Sequence, residues 1–225
     1  EIKSILAADA APREVDWQAV YDYFTYLYVP WPRTAFAAIE QLPPAHTLRY
    51  DLRTRQCRID RYWDPRASSG SGGMLSAEES SSEMRRLLED SVQRQLISDV
   101  PVGVFLSGGI DSATLTALAM RSSSSPVRTF TVAFGGQGIL PCDEREAAAR
   151  ISKHLGTEHT EVVVNIDEPD EVFDLVRYFD QPFGNSTLYL SYLVSKVTRE
   201  HVTVVLSGAG GDELFGGYPR YRALG

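Results

Sequence analysis

The sequence predicts an α/β fold, a parallel sheet with helices on both faces. Past residue 76, continuous apolar runs of strand length alternate with stretches of helical period. Two of those runs end in the same Ser-Gly pair and deliver an aspartate within one loop: Val104-Phe-Leu-Ser-Gly-Gly-Ile-Asp-Ser112 and Val204-Val-Leu-Ser-Gly-Ala-Gly-Gly-Asp-Glu213. Ligands of such sheets bind at the carboxyl ends of the strands, and both motifs lie at such ends.

Taken in order, Val15–Tyr28 reads as an aromatic-rich helix that Pro30-Trp-Pro32 breaks. His46–Leu52 and Cys57–Trp63 read as a hairpin that turns at Arg53–Gln56. Arg66-Ala-Ser-Ser-Gly-Ser-Gly-Gly73 has linker composition, which divides the chain into residues 1–65, a flexible linker at 66–75 and residues 76–225. Ser76–Ser98 is a predicted helix, with Ser76 as its cap and Glu78 and Glu79 in the favourable first turn. The strand Val102–Leu106 leads into a helix over Ser112–Arg121, and Val127–Phe134 is the next strand. Asp143–Leu155 is predicted helical and stops at Gly156, as a helix C-terminus should. Glu161–Val164 is a strand, Glu168–Phe179 and Thr187–His201 are helices, and Val202–Leu206 is the last strand.

The Ser-Gly motifs carry the chemistry. A strand that stops in Ser-Gly-Gly and restarts as a helix leaves backbone N–H groups unpaired at the positive end of the helix dipole, which favours a phosphate. Gly108 and Gly109 are expected to allow close backbone approach and a positive φ. Asp111 would repel a phosphate unless a Mg²⁺ bridges the two, and Asp212 from the second loop is the natural second ligand. A lone Ser-Gly-Gly is most often only a turn; here it sits between a strand pattern and a helix pattern. A Walker loop would need a terminal Gly-Lys-Ser/Thr, and no lysine is near. A nucleophile elbow needs glycine two residues before the serine, where this chain has Phe105 and Val205. In the second loop Glu213 stands where a dinucleotide fingerprint places its third glycine.

Composition narrows the classes. A chain of 225 residues with 43% hydrophobic content can bury a full core. A formal charge of −8 argues against a general nucleic-acid or membrane-surface binder. No run approaches a membrane span, and the N-terminus does not read as a signal peptide. Cys57 and Cys142 have no metal-like spacing and fit a reducing cytoplasm, and the four histidines form no ligand cluster. The first residue, Glu1, reads as the start of a piece of a longer chain.

Ser107-Gly-Gly-Ile-Asp-Ser112 resembles the pyrophosphate loop of the ATP pyrophosphatases. Together with Ser207-Gly-Ala-Gly-Gly-Asp-Glu-Leu-Phe-Gly-Gly-Tyr218 it resembles the glutamine-dependent asparagine synthetases. Ser98-Asp-Val-Pro-Val-Gly103, Asp143-Glu144, Leu155-Gly-Thr-Glu-His159 and Asp180-Gln-Pro-Phe183 support the likeness, which runs over nearly the whole chain. Residues 1–65, with the turn Gln41-Leu-Pro-Pro-Ala-His46, resemble the end of the family's glutaminase domain; residues 76–225 resemble the first part of its ATP-binding domain.

The resemblance implies an adenine-nucleotide α-hydrolase-like (PP-loop) fold, ATP and Mg²⁺ as cofactors, and an acyl-adenylate made from aspartate or another carboxylic acid. Glutamine-derived ammonia then attacks the adenylate, with no nucleic-acid or membrane partner and with a homodimer as one allowed assembly. It implies that Ser107, Gly108, Gly109, Ile110, Asp111 and Ser112 hold the pyrophosphate end of ATP. Leu106, Val132, Ser207 and Gly208 would touch the adenosine part, although apolar strand residues such as Leu106 and Val132 belong in a core regardless. Asp111 and Asp212 are the expected metal-binding, catalytic carboxylates.

Ala209 departs from the family, whose synthetases carry an acidic residue between the two glycines. Losing one charge-assisted contact there costs roughly 2–4 kcal/mol of transition-state stabilisation. A related enzyme that adenylates another acid, such as a β-lactam synthetase, and a nucleotide-binding relative without chemistry are therefore alternatives. The family's glutaminase nucleophile is not in this chain, and its pyrophosphate-steadying lysine would lie beyond Gly225, so the chain alone is expected to be inactive.

Overall fold

The computed structural model describes residues 1–64, 75–134, 144–164, 175, 178–185 and 187–222. The expected linker, apart from residue 75, lies outside these residues, as do Cys142, Asp143 and most of the helix expected over Glu168–Phe179. The chain forms two compact units, one of Glu1–Met74 with Glu168–Tyr189, the other of Leu75–Asp167 with Leu190–Gly225.

In the first unit, helices α1 (Ile2–Ala7) and α2 (Trp17–Tyr26) precede a two-stranded antiparallel hairpin, β1 (His46–Tyr50) and β2 (Cys57–Arg61). Asp16 starts α2 by accepting from the Gln18 and Ala19 amides, and Leu27 at φ +63° ends it. Gln41 pins the following turn by donating to the Val29 and Arg33 carbonyls at 3.1 and 2.6 Å. Asp51 closes the hairpin by accepting from the Arg53 and Thr54 amides, both at 2.8 Å. Residues from much later in the chain complete this unit. The Gly184 amide donates to the Leu27 carbonyl at 2.8 Å, and Lys3 pairs with Asp180 at 3.4 Å. Burial opposes ionisation of Asp180, but donors from Lys3 and the Ile2 amide outweigh it and hold the carboxyl below its ordinary value.

The second unit is built on four parallel strands, β3 (Val102–Phe105), β4 (Arg128–Phe134), β5 (Glu158–Val164) and β6 (Val204–Leu206), in the order β5-β4-β3-β6. Helix α3 (Ala77–Gln95) opens it with a full capping box, in which Ser76 accepts from the Glu79 amide and Glu79 accepts from the Ser76 amide. Helix α4 (Ile110–Ser122) links β3 to β4, and α5 (Arg145–Leu155) precedes β5 and ends at Gly156 with φ +75°. Helix α6 (Thr187–Thr198) leads back to β6, followed by the short α7 (Gly211–Phe215) and α8 (Pro219–Arg222). Val92 of α3, Leu118 and Ala119 of α4, Val104, Val127 and Leu206 form the core, with Leu88, Leu96, Val102, Leu115 and Met120 against it.

The parallel α/β class expected from the apolar runs is present. Several boundaries differ: α3 ends at Gln95, three residues before the expected Ser98, and β6 begins at Val204, two residues after the expected Val202. The last helix before β6 stops at Thr198, because the His201 and Val202 amides turn back to the Thr198 carbonyl. Strand β5 starts three residues earlier than expected, because Glu158 and His159 pair with Arg128 and Thr129 and so extend the ladder. Helix α1 and the two short helices after the second Ser-Gly loop were not expected; they are too short for periodicity to mark them.

Candidate active site

The chain lays down β3, β4 and β5 outward in one direction, then returns to place β6 on the other side of β3. The strand order therefore reverses between β3 and β6, the position where open α/β sheets form a crevice at their carboxyl ends. In register, Val104 pairs with Leu206, so both Ser-Gly loops leave the sheet side by side.

The two loops share a local device. The Gly109 amide donates to Ser107 Oγ at 3.2 Å, and the Ala209 amide approaches Ser207 Oγ at 3.5 Å. In the first loop Ser112 does further work from the start of α4. Its Oγ accepts from the Ser107 amide at 3.0 Å and lies 2.9 Å from Ser107 Oγ. It also lies 3.2 Å from the carbonyls of Ser107 and Gly109, and Ser112 is only 6% exposed. The hydroxyl thus braces the loop. The Gly108, Ile110 and Asp111 amides have no such partner among the described residues and stand at the start of α4, an arrangement suited to an anion.

Glycine's role here differs from the expectation. Gly109 caps α4 at φ −81°, and neither it nor Gly108 has positive φ; among the described residues the left-handed glycines are Gly156, Gly210 and Gly216. What Gly108 requires is space. A Cβ there would lie 2.8 Å from the Ala147 Cβ and 3.5 Å from the Glu144 Cβ, because the first turn of α5 packs against the loop. Gly210, at φ +98°, caps α7 and turns the second loop.

The second loop folds onto Asp111. A Cβ on Gly208 would lie 3.1 Å from the Asp111 Cβ and 3.3 Å from the Ser112 amide nitrogen. A Cβ on Gly211 would lie 2.6 Å from Asp111 Oδ2. Asp111 thus packs against the backbone next to Asp212, which occupies the first turn of α7. Among the described residues no three His, Cys, Asp or Glu side chains gather as a metal cluster. The Asp111 carboxylate faces Gly211, whereas the Asp212 carboxylate lies against Gly217, where a Cβ would overlap Oδ1. Both are hard oxygen donors of the kind that suits Mg²⁺, an ion that commonly takes one or two carboxylates and completes its shell with phosphate oxygens and water.

The remaining expected residues fall at different depths. Leu106 is 1% exposed and directly follows β3, whereas Val132 on β4 is half-buried. Ile110 is 82% exposed at the top of α4, Ser207 is exposed and Gly208 half-buried. Glu213 accepts from Tyr218 Oη at 3.0 Å, and Ala209 is exposed. Sequence reading missed the spacing role of Gly211 and the contact of the loop with Ala147. It also missed Thr131, whose Oγ1 donates to the Leu106 carbonyl where β3 ends.

Residues 83–225 match the family model described as asparagine synthase. A putative glutamine-hydrolyzing asparagine synthetase of Mycobacterium bovis is 36% identical over 210 residues, covering 93% of this chain and 32% of that protein. Asparagine synthetase 1 of Bacillus subtilis is 35% identical over 227 residues, covering 99% and 34%. A putative asparagine synthetase 2 of Methanocaldococcus jannaschii is 32% identical over 222 residues, covering 97% and 42%. The chain thus spans about a third of the length of the curated relatives it matches. Among solved structures, an NH3-dependent NAD synthetase of Campylobacter jejuni matches with a TM-score of 0.40 and 21% identity, covering 61% of this chain and 60% of that one.

Proposed function

Since the chain belongs to the asparagine synthase family, we propose that it is the ATP-binding part of a glutamine-hydrolysing asparagine synthetase, preceded by the end of a glutaminase domain in residues 1–65. The reaction is the activation of aspartate by ATP to an acyl-adenylate with release of pyrophosphate, followed by attack of glutamine-derived ammonia to give asparagine and AMP. The observation that carries this reading is the meeting of the two Ser-Gly loops at the strand-order reversal, with Asp111 set against Gly208 and Gly211.

The pyrophosphate end of ATP lies over the Gly108, Ile110 and Asp111 amides, and Ser107, Gly109 and Ser112 hold that loop in shape. The adenosine part lies toward β4 and the second loop, where Val132, Ser207 and Gly208 are accessible; the burial of Leu106 supports a core role behind them. Asp111 and Asp212 would hold Mg²⁺, which when bound offsets the negative charge building on the leaving pyrophosphate. Ala209 favours a second reading, in which the acceptor is another carboxylic acid, because alanine has no charge with which to orient the aspartate amino group.

The test is ATP–pyrophosphate exchange by the intact protein with Mg²⁺, with aspartate, with other carboxylic acids and with none. Aspartate-dependent exchange supports the first reading, and exchange with another acid alone supports the second. Mg-ATP binding without exchange under any acid leaves a nucleotide-binding relative. Asp111→Asn and Asp212→Asn should each lower exchange by about tenfold to a hundredfold, since each removes a charged ligand. Full exchange in Asp212→Asn would sink the shared-metal arrangement.

A further inference from the structure

The end of β3 is where the phosphate loop acquires its direction, and a side chain of the neighbouring strand sits at that end. The Leu106 amide donates to the Phe130 carbonyl at 2.9 Å, the last backbone rung between β3 and β4. In a parallel ladder the next rung would bring the Val132 amide to the Leu106 carbonyl. Here the Thr131 hydroxyl donates to that carbonyl. Thr131 is 4% exposed and Leu106 1% exposed, so no water competes for the bond. One residue on, the Ser107 amide turns to Ser112 Oγ and the Gly109 amide to Ser107 Oγ. The loop therefore leaves the sheet along a chain of hydroxyls: Thr131 at Leu106, then Ser112 and Ser107 within the loop.

We propose that Thr131 is a positioning residue for the phosphate loop, its hydroxyl ending the β3–β4 ladder at Leu106 so that the Gly108, Ile110 and Asp111 amides face the anion. The inference rests on the nucleotide-binding reading above. Thr131 touches no substrate; it acts through the Leu106 carbonyl. Valine has the same shape as threonine without the hydroxyl, and would leave the carbonyl without its donor. Serine keeps the hydroxyl and loses only a methyl group.

Two measurements on the intact protein separate this inference from the reading beneath it. Amide hydrogen exchange at Ser107 and Gly109 reports the loop itself, with the α3 amides as the measure of global stability. Thr131→Val should speed exchange at Ser107 and Gly109 about tenfold relative to the α3 amides, and Thr131→Ser should restore it. Calorimetric titration with Mg-ATP should show binding weakened about tenfold in Thr131→Val and recovered in Thr131→Ser. Unchanged loop exchange in Thr131→Val overturns the proposal, as does faster exchange with unaltered ATP affinity. Loss of ATP affinity in Thr131→Ser equal to that in Thr131→Val also overturns it, since the hydroxyl would then not be the cause. If the unsubstituted protein binds no Mg-ATP, the nucleotide reading fails, and the loop exchange still decides what Thr131 holds.

Discussion

Side by side in one loop, Gly108 and Gly109 meet different surroundings. A Cβ on Gly108 would press on the Ala147 Cβ at 2.8 Å, an atom fixed to a helix backbone, whereas on Gly109 it would meet only Ser107 Oγ at 3.3 Å. Gly108→Ala is therefore expected to destabilise the protein by about 1–3 kcal/mol through overpacking. Gly109→Ala, at an ordinary extended backbone, should stay within about 1 kcal/mol of the parent. Urea unfolding of the two variants checks the difference, and equal costs would refute it. The same comparison shows the limit of reading glycines from sequence. That Ser-Gly-Gly needs small residues was legible; whether the need is φ or space depends on Ala147, which lies far along the chain. Ser112 makes the parallel case. Its hydroxyl reads as a phosphate ligand from the motif; that it also bonds to Ser107 and Gly109 and so braces the loop shows only in the folded chain.

Among the elements, α3 shows how far local signals reach. Ser76 followed three residues on by Glu79 is a capping box in the sequence, and the structure forms both of its bonds, at 3.2 and 2.9 Å. The Ser76 amide, donating to the Glu79 carboxylate, also holds that carboxyl below its ordinary value. Ser76→Ala should cost about 1 kcal/mol and fray the first turn, which faster exchange of the Glu79 and Ser80 amides would show. Unchanged exchange there would mean that packing, not the cap, holds the turn. Strand boundaries were less legible. Nothing local marks Glu158 and His159 as strand, because they pair with Arg128 and Thr129 of a strand far away in the sequence. A polar residue joins a sheet when its partner strand is in reach, which only the assembled ladder decides.

At the scale of the whole molecule, His159 ties global stability to pH. Burial holds its imidazole below the ordinary value of 6.5, against a weaker pull upward from Glu161. Its Nδ1 lies 3.0 Å from Thr129 Oγ1, and its buried Nε2 has no partner among the described residues. The unfolded chain therefore binds this proton more readily than the folded one. The stability that neutral His159 confers is complete above 6.5 and is lost as the pH falls below it toward the lower folded value. The unfolding free energy should fall over that interval, and His159→Gln should flatten the slope; an identical slope in the variant would exclude His159 as its source.

What the sequence determined by itself is the set of local instructions: apolar runs of strand length, the cap at Ser76, the stop at Gly156, and two Ser-Gly loops that each end in an aspartate. These depend on neighbours a few residues apart, so a linear reading reaches them. Only the tertiary structure decided that β6 lies beside β3, that Gly208 and Gly211 close over Asp111, and that residues near Asp180 join the first unit. Each of these sets together residues distant in sequence, where strand pairing and side-chain packing, rather than local propensity, choose the neighbour. The candidate site exists because that choice puts two locally legible loops at one edge.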